Sequence, residues 1–403
     1  MKYIYIFDDY YQSLRNGIGT FNTQLLYTLK EAGYCIVIIE LNSDTDKFII
    51  LEVDEIIKMR FPSTIQGWSA NNFNNVCTLI NLYVLDSANN VFIFNYNYFD
   101  KILLKIRELY PLSKILKIVH DLNWTSSLLG DESTFRNIIN NHGVVSNINH
   151  RFIKDSFVSE KDMMSKADLI VCSSVETKQL LKDFYLIKKK KIKLISNGLV
   201  KKNHQLLKPR SEIIKEYGFN IEDRILLYVG RVNVVKGIYI AMKAFEKILL
   251  IHPNSRLVIC GNVSDPDHIF SFSKHISSRV SFLGHVAKDE LISLYHIADV
   301  GILPSYTEQC SYTAIEMMKF GLPIVCSDAN GLRSMFKNNV TAIVTEITNY
   351  QDSEMFVNSF YKGIKSILES ESLAKRLRRG AHKRYLQSYT QDKMISKYLK
   401  LFA

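Results

Sequence analysis

The chain has 403 residues, of which 47% are hydrophobic and 23% are charged, and its formal net charge is +11. This composition is that of a globular protein, so it excludes a disordered or collagen-like chain. The length predicts two or three domains, at roughly 100–200 residues each. No apolar stretch approaches the ~18 residues of a membrane span. Because Asp8 and Asp9 interrupt the apolar start at residues 1–7, we expect a buried first strand rather than a signal peptide.

The positive charge is concentrated in one strip. Between Lys182 and Arg210 there are nine lysines and one arginine against one aspartate. Aromatic residues are not interleaved with these lysines, so the strip does not indicate a nucleic-acid platform. The run Lys188–Lys191 is a candidate for peripheral contact with an anionic membrane surface. The alternative is a solvated loop that leads into the next strand.

The six cysteines form no Cys-x-x-Cys pair and lie at no zinc-ligand spacing from a histidine. Most lie in apolar runs, where a free cysteine behaves as a small hydrophobe. We therefore expect reduced thiols, a cytoplasmic protein and no bound metal.

Short apolar runs alternate with segments of helical period, which predicts parallel sheets built from βαβ units. Eleven runs are too many for one small sheet, so we expect two. Polar residues, Pro209 and Gly218 mark the boundary near residues 201–221, and residues 131–150 are predicted to form a loop. The runs are 3–7, 35–39, 91–94, 115–119, 168–172, 192–195, 225–229, 256–260, 280–283, 299–303 and 323–326.

A glycine loop, Gly17-Ile18-Gly19-Thr20, follows the first strand and opens a helix. Amides at a helix start attract anions, and glycine allows a ligand to approach closely. A dinucleotide-binding loop is one alternative, since Glu40 closes the second strand. Asn22 stands where that fingerprint has its third glycine, which argues against it. A structural turn is the other alternative.

His120-Asp121 follows the apolar run 115–119, at the strand end where open α/β sheets bind ligands. A histidine there can exchange protons near neutral pH. The alternative is a histidine that caps the next turn.

The segment Tyr228-Val229-Gly230-Arg231 ends another strand, and Lys236-Gly237 opens the next helix. Two cations and helix-start amides predict a pyrophosphate site. The alternative is two exposed charges in a loop.

Two carboxylates, Glu308 and Glu316, flank the start of the predicted helix 311–320. On one helix they would lie about 12 Å apart, whereas a retaining hydrolase needs ~5–5.5 Å. They therefore have separate roles. We predict that one binds a sugar and the other binds a ribose.

The order and spacing of these motifs resemble glycosyltransferase family 4, retaining enzymes of the GT-B fold, in a bacterial form. The resemblance covers nearly the whole chain. It rests on the motifs above and on five further segments, which are Ala167-Asp168-Leu169-Ile170 with Ser173-Ser174, Ile195-Ser196-Asn197-Gly198, Cys260-Gly261, Phe282-Leu283-Gly284 and Gly321-Leu322-Pro323-Ile324-Val325.

The resemblance implies a role for each motif. Arg231 and Lys236 would bind the diphosphate of the donor, beside Gly17, Gly19 and Gly230. Glu316 would bind the ribose, and Glu308 with Gln309, Cys310 and Ser311 would hold the donor sugar. His120, Glu308, Arg231 and Lys236 would be catalytic, with Asp121 and Trp124 on the acceptor side.

The implied fold is α/β, with two doubly wound Rossmann-like domains facing each other across a cleft. The implied activity is metal-independent, retaining hexosyl transfer from a nucleotide sugar, a UDP-sugar first, to a glycan, a lipid-linked sugar or a peptide. No cofactor and no nucleic acid are expected. The expected parts are residues 1–203 as the acceptor-side domain, 204–221 as a linker, 222–384 as the nucleotide-sugar domain, and 385–403 as a helix returning to the first domain.

Two other functions stay open. A catalytically inactive GT-B scaffold, or partner subunit, is disfavoured by the intact charged motifs, and an NAD-dependent oxidoreductase is disfavoured by Asn22. The residues after Glu308 and the loop 232–235 depart from the family pattern, so the donor sugar stays open as well.

Overall fold

The computed structural model describes residues 2–14, 16–63, 70–140, 147–201, 208–348, 350 and 353–402. The chain forms two compact units. The first contains Met1–Leu128, Glu132–Asn197 and Met394–Ala403, and the second contains Leu129–Asp131 and Gly198–Lys393.

The strands lie in one sheet per unit. They are β1 Tyr3–Asp9, β2 Cys35–Ser43, β3 Ile49–Val53, β4 Ile56–Pro62, β5 Asn90–Phe94, β6 Lys114–Val119, β7 Leu169–Cys172 and β8 Ile192–Leu194 in the first unit, and β9 Arg224–Val229, β10 Ser255–Cys260, β11 Val280–Gly284, β12 Val300–Leu303, β13 Ile324–Ser327 and β14 Ile343–Thr345 in the second.

The α-helices connect and cover these strands. They are α1 Tyr10–Ser13, α2 Gly17–Glu31, α3 Ala70–Tyr83, α4 Asp100–Leu109, α5 Asn123–Ser127, α6 Glu132–Asn140, α7 Ile148–Lys166, α8 Val175–Asp183, α9 Arg210–Glu216, α10 Ile238–Leu249, α11 Pro266–Ser273, α12 Lys288–Ile297, α13 Tyr312–Lys319, α14 Asn330–Met335, α15 Glu354–Glu369, α16 Glu371–Ser388 and α17 Gln391–Phe402. Among the described residues no helix is both long enough and apolar enough to cross a bilayer.

The sheet of the first unit has the order β3-β4-β2-β1-β5-β6-β7-β8. All its pairs are parallel except β3 with β4. The chain passes from β1 to β2 on one side and later adds β5 on the other side of β1. The strand order therefore reverses between β1 and β5, and ligands of open α/β sheets bind beyond the strand ends at such a point.

One face of this sheet is covered by α2 and by the end of α17. The rings of Phe21 and Tyr398 meet edge to face at 5.8 Å, and Lys2 Nζ donates a 2.6 Å hydrogen bond to the carbonyl of Phe402. The last residues of the chain thus complete the core of the unit that contains the first strand.

The sheet of the second unit has the order β11-β10-β9-β12-β13-β14, and every pair is parallel. Apolar clusters fill both of its faces. This accounts for the apolar character of β9, β12 and β13, because a parallel strand between two helical layers is buried on both sides. Here the order reverses between β9 and β12, and the loops that follow these two strands carry the second-half motifs.

Each of the eleven apolar runs predicted as strands coincides with a strand of the structure, and four of them, 168–172, 192–195, 299–303 and 323–326, extend one residue beyond it. Three further strands, β3, β4 and β14, were not predicted. The β3–β4 hairpin turns on Asp54 and Glu55, which both have positive φ. A two-residue turn of this kind is normally marked by Asn-Gly or Asp-Gly, so the sequence carries no turn signal here.

The prediction of a loop over residues 131–150 is wrong for most of the segment. Glu132–Asn140 is a helix, with Phe135 and Ile138 buried, and a second helix begins at Ile148. Residues 141–146 lie outside the described residues. Most of the polar residues lie on the exposed side of α6, whose three apolar residues, Phe135, Ile138 and Ile139, are too few to reveal the helix from sequence.

Candidate functional site

The loop between β9 and α10 carries Gly230, Arg231, Lys236 and Gly237. Gly230 and Gly237 have φ values of +144° and +70°, which glycine adopts without steric cost. The side chain of Arg231 is exposed. The two cations therefore come from a loop anchored at both ends by glycines in left-handed backbone.

Hydrogen bonds hold this loop in shape. The buried hydroxyl of Tyr228 donates to the carbonyls of Arg231 and Lys236 at 2.8 and 3.3 Å. Asn233 Oδ1 accepts from the amide of Lys236 at 3.0 Å. The amides of Gly237 and Ile238 donate to loop carbonyls. Since those helix-start amides are already bonded, the positive charge offered to a ligand comes mainly from Arg231 and Lys236.

The loop after β12, residues 304–311, packs directly against the β9–α10 loop. The amide of Tyr306 donates to the carbonyl of Val235 at 2.9 Å. A Cβ placed on Gly237 would lie 1.9 Å from the carbonyl oxygen of Pro304. Glycine is therefore required at residue 237 for close backbone approach as well as for its φ, and this approach brings the two predicted motifs together.

Lys236 and Glu308 form an ion pair across these two loops. Lys236 Nζ lies 2.6 Å from Glu308 Oε1, and the side chains are 21% and 12% exposed. Ser305 Oγ donates to the same oxygen at 3.1 Å. A partly buried pair with an added hydrogen bond is stable while both partners are present, and removing one leaves an uncompensated charge. The pair places a cation and a carboxylate side by side at the switch point.

The segment that begins at Glu308 contacts α14. The amide of Gly331 donates to the carbonyl of Glu308 at 2.8 Å, and Ser311 Oγ caps α13 by accepting from Ala314 N at 3.3 Å. Gln309 and Cys310 are buried. Their predicted contact with a donor sugar stays a prediction.

Glu316 lies in α13, away from the loop that carries Glu308. The hydroxyl of Tyr295 donates to Glu316 Oε2 at 2.8 Å, and burial raises the pKa of this carboxyl. One carboxylate therefore lies in the loop before the helix and the other in its body, as the spacing argument predicted. The ribose contact of Glu316 stays a prediction.

In the first unit, a chain of hydrogen bonds links His120 to the switch point between β1 and β5. His120 Nε2 lies 3.1 Å from Asn95 Oδ1. Asn95 Nδ2 donates to Asn22 Oδ1 at 2.8 Å, and Asn22 Nδ2 donates to Asp8 Oδ1 at 3.0 Å. Burial, with a smaller contribution from Lys117, lowers the pKa of His120 to about 3. The imidazole is therefore neutral at physiological pH.

The other predicted residues of the first unit have local structural contacts. Asp121 caps the turn after β6 by accepting from Leu122 N at 2.9 Å and Thr125 Oγ1 at 2.5 Å. Trp124 is buried, with its ring stacked on Phe135 at 4.2 Å. The acceptor-side role of Asp121 and Trp124 stays a prediction, and for Trp124 it would have to act through its neighbours.

The glycine loop of the first unit is capped by its own side chains. Asn16 Oδ1 accepts from the amides of Ile18 and Gly19 at 2.9 and 3.3 Å. A Cβ on Gly19 would lie 1.9 Å from the carbonyl oxygen of Ser13, so glycine here allows α1 to approach α2. Asn22 takes part in the chain to His120. The contact of Gly17 and Gly19 with a diphosphate stays a prediction.

Glu40 has a structural partner for each carboxylate oxygen. Lys58 Nζ lies 2.9 Å from Oε1 and Arg60 Nε lies 2.8 Å from Oε2. Both ion pairs join β2 to β4. They account for the acidic residue at the end of β2 without the ribose-binding role that a dinucleotide site would give it.

Sequence reasoning missed a buried charged group next to His120. Lys117 is fully buried on β6, and Nζ has no hydrogen-bond partner among the described residues. Burial lowers the pKa of Lys117 to about 7 and raises that of Glu160 to about 7. Glu160 accepts hydrogen bonds from Asn97, Asn123 and Tyr185. The signal in the sequence was a lysine in the middle of the apolar run 115–119.

Comparison with known proteins finds a family match in the second unit. Residues 209–384 match the family model described as Glycosyl transferases group 1. An uncharacterized glycosyltransferase of Methanocaldococcus jannaschii is 34% identical over 158 residues, 38% of this chain and 40% of that protein. Glycogen synthase of Mycobacterium tuberculosis is 30% identical over 166 residues, 41% of this chain and 38% of the synthase. The chain thus spans about two fifths of the length of these curated relatives.

Solved structures resemble the whole chain. Sucrose-phosphate synthase of Thermosynechococcus elongatus has a TM-score of 0.80 at 18% identity, covering 100% of this chain and 98% of that one. The fold is that of the GT-B glycosyltransferases. Anabaena HepE, solved in complex with UDP-glucose, has a TM-score of 0.71 at 14% identity, covering 100% and 99%. Together, these comparisons show the GT-B fold for the whole chain and a match to the group 1 glycosyl transferase model in residues 209–384.

Replacing Gly237 by alanine tests the close approach of the two loops. Gly218 serves as the control, because its φ of +66° is similar and a Cβ there would meet nothing within 4 Å. We expect Gly218→Ala to lower the free energy of unfolding by roughly 1–2 kcal/mol. Gly237→Ala should cost distinctly more, since Pro304 must also move. Equal losses in urea unfolding would show that the loops are not in contact.

Replacing Asp8 by asparagine tests the buried carboxylate at the end of β1. Burial raises the pKa of Asp8 from 3.8 to about 6, so the folded protein binds this proton more tightly than the unfolded chain. Wild type therefore loses stability as the pH rises through this interval, by about 3 kcal/mol in total. Asp8→Asn does not titrate and should gain stability relative to wild type over the same interval.

The measurement is the free energy of unfolding from pH 4 to pH 7.5 for wild type, Asp8→Asn and Asp46→Asn. Asp46 is exposed, so its variant controls for the change in net charge. A constant difference between Asp8→Asn and wild type across this range would contradict the assignment.

Proposed function

We propose that the protein is a retaining glycosyltransferase of family 4, which moves a hexosyl group from a nucleoside diphosphate sugar to an acceptor hydroxyl. The observation that carries this proposal is the Lys236–Glu308 ion pair between the loops after β9 and β12. It joins a phosphate-binding cation to a carboxylate able to bind sugar hydroxyls. Both lie at the point where the strand order of the second sheet reverses, the place where ligands bind in such sheets.

The donor diphosphate would bind Arg231 and Lys236. A guanidinium can bind two phosphate oxygens at once, and an ammonium acts as a compact charge. As the sugar leaves, negative charge grows on the diphosphate, so fixed cations stabilise the transition state more than the ground state. Glu308, once released from Lys236, would accept hydrogen bonds from the sugar hydroxyls. Glu316 would bind the ribose through the carboxylate oxygen that Tyr295 leaves open.

A UDP-sugar is the first donor to test. Anabaena HepE, which shares the fold, has been solved in complex with UDP and with UDP-glucose. The acceptor would be a glycan, a lipid-linked sugar or a peptide. A catalytically inactive scaffold is the alternative, and it would bind the nucleotide sugar without turning it over.

We also propose a cytoplasmic location with peripheral contact to an anionic membrane through the lysine run. Lys188, Lys189 and Lys190 are exposed. Lys191 has a structural task, because its Nζ donates to the carbonyls of Ser165 and Ala167 at 3.2 and 2.8 Å. Three lysines are thus available to a charged surface.

Removal of the Lys236 ammonium tests the diphosphate site. We expect Lys236→Ala to lower kcat by roughly 10²–10³, the loss that follows removal of one electrostatic stabiliser. Lys243 is exposed on α10, so Lys243→Ala is the matched control and should keep wild-type turnover. Near-normal turnover in a folded Lys236→Ala protein would remove this residue from the mechanism.

Chelation tests the proposed metal independence. If Arg231 and Lys236 neutralise the leaving diphosphate, turnover should be unchanged by excess EDTA. Loss of turnover that manganese or magnesium restores would show that a divalent cation does this task.

Sedimentation with anionic vesicles tests the membrane contact. At ~0.15 M salt each lysine near an anionic surface contributes about 1 kcal/mol, so wild type should sediment in part with the vesicles. A variant with Lys188, Lys189 and Lys190 changed to Gln should stay in the supernatant. The same change at Lys243, Lys274 and Lys362, which are exposed in the second unit, controls for net charge. Equal distribution of all three proteins would rule out the contact.

A further inference from the structure

Side-chain hydrogen bonds connect the ends of three neighbouring strands in the first unit. Asp8 belongs to β1, Asn95 follows β5, and His120 follows β6, while Asn22 on α2 bridges the first two. Asn22 and Asn95 are only 5% and 2% exposed. Their amides therefore have fixed partners and lie in a low-dielectric environment, where a hydrogen bond is stronger than in water.

The carboxylate of Asp8 determines the direction of every bond in this series. An ionised carboxylate only accepts, so the NH₂ group of Asn22 must face Asp8 and its oxygen must face Asn95. Asn95 must then turn its NH₂ group to Asn22 and its oxygen to His120. The oxygen of Asn95 can only accept, so the imidazole must donate its Nε2 proton.

We propose that Asn95, Asn22 and Asp8 are positioning residues that hold His120 in the neutral tautomer with its proton on Nε2 and its lone pair on Nδ1. Among the described residues no hydrogen bond is found to Nδ1. The ring of Phe21 packs against the imidazole edge to face at 4.8 Å, which fixes its orientation from a second side.

The chemistry of this tautomer defines what His120 can recognise. A lone pair on Nδ1 accepts a hydrogen bond from a hydroxyl, whereas an imidazolium would only donate. The ligand class is therefore a hydroxyl-bearing substrate, such as a sugar. The role in transfer rests on the proposed function, but the tautomer does not.

A purely structural role is the competing explanation, because buried amides need partners whatever their function. The two explanations differ in one respect. Only the positioning role requires that the tautomer of His120 change when Asn95 loses its oxygen.

The first experiment reads the tautomer directly, by nitrogen NMR of the protein labelled with ¹⁵N-histidine, with His120→Gln to assign the signal. We expect wild-type His120 at pH 7.5 to be neutral and protonated on Nε2. Asn95→Leu should shift it toward the Nδ1-protonated form. Asn90→Leu is the matched control, because Asn90 is a buried asparagine at the opposite end of β5, and it should leave the signal unchanged.

A second variant keeps the proposal testable if Asn95→Leu does not fold. In Asn95→Asp a carboxylate still accepts from Nε2, so the tautomer should be kept and the pKa of His120 should rise. An unchanged pKa of His120 in Asn95→Asp, or Nδ1 protonation in wild type, would overturn the proposal.

Kinetics then separate this proposal from the proposed function. Asn95→Leu should lower kcat by about 10²-fold, the cost of a misplaced catalytic group, with little change in KM for the donor and none in Asn90→Leu. A changed tautomer with unchanged kcat would overturn the positioning role. Absence of transfer in wild type with the expected tautomer would overturn the proposed function and leave the tautomer assignment standing.

Discussion

The ion pair between Lys236 and Glu308 is the contact on which the candidate donor site depends. It joins two loops that are 72 residues apart in the chain, and it forms only because the strand order of the second sheet reverses between β9 and β12. Gly237 makes the approach possible, since any larger residue would collide with Pro304. Both side chains are largely buried, at 21% and 12% exposure, and we propose that the pair exchanges its internal partner for a ligand.

The first unit also places polar side chains at the point where the strand order of its sheet reverses, but these side chains are of a different kind. Its sheet reverses between β1 and β5, and the polar side chains there form a hydrogen-bonded series that begins at the carboxylate of Asp8 and ends at the neutral imidazole of His120. The second unit thus offers net positive charge from a loop, which suits a diphosphate. The first offers a fixed hydrogen-bond acceptor, which suits a hydroxyl.

The strands were predictable because parallel strands buried on both faces read as continuous apolar runs. The hairpin of β3 and β4 was not, because its turn uses Asp54 and Glu55 at positive φ in place of glycine. Glu308 and Lys236 were predicted as site residues from spacing and family resemblance, and that role stays a prediction. Their direct contact in the structure was not predicted. The hydrogen-bonded series from Asp8 to His120 joins residues from four separate segments, so no local sequence pattern predicts it. Asn22, which counted in the sequence only against a dinucleotide fingerprint, is a member of that series.

The central claim is that the loops after β9 and β12 form a nucleoside diphosphate site, and thermal unfolding in the presence of nucleotides tests it most directly. A ligand that binds only the folded protein raises its Tm in a concentration-dependent way. The account predicts that UDP or another nucleoside diphosphate raises the Tm of wild type, and that the shift disappears in a variant with Arg231 and Lys236 both changed to Ala. A Tm that no nucleoside diphosphate or its sugar moves, or a shift that survives loss of both cations, would contradict it.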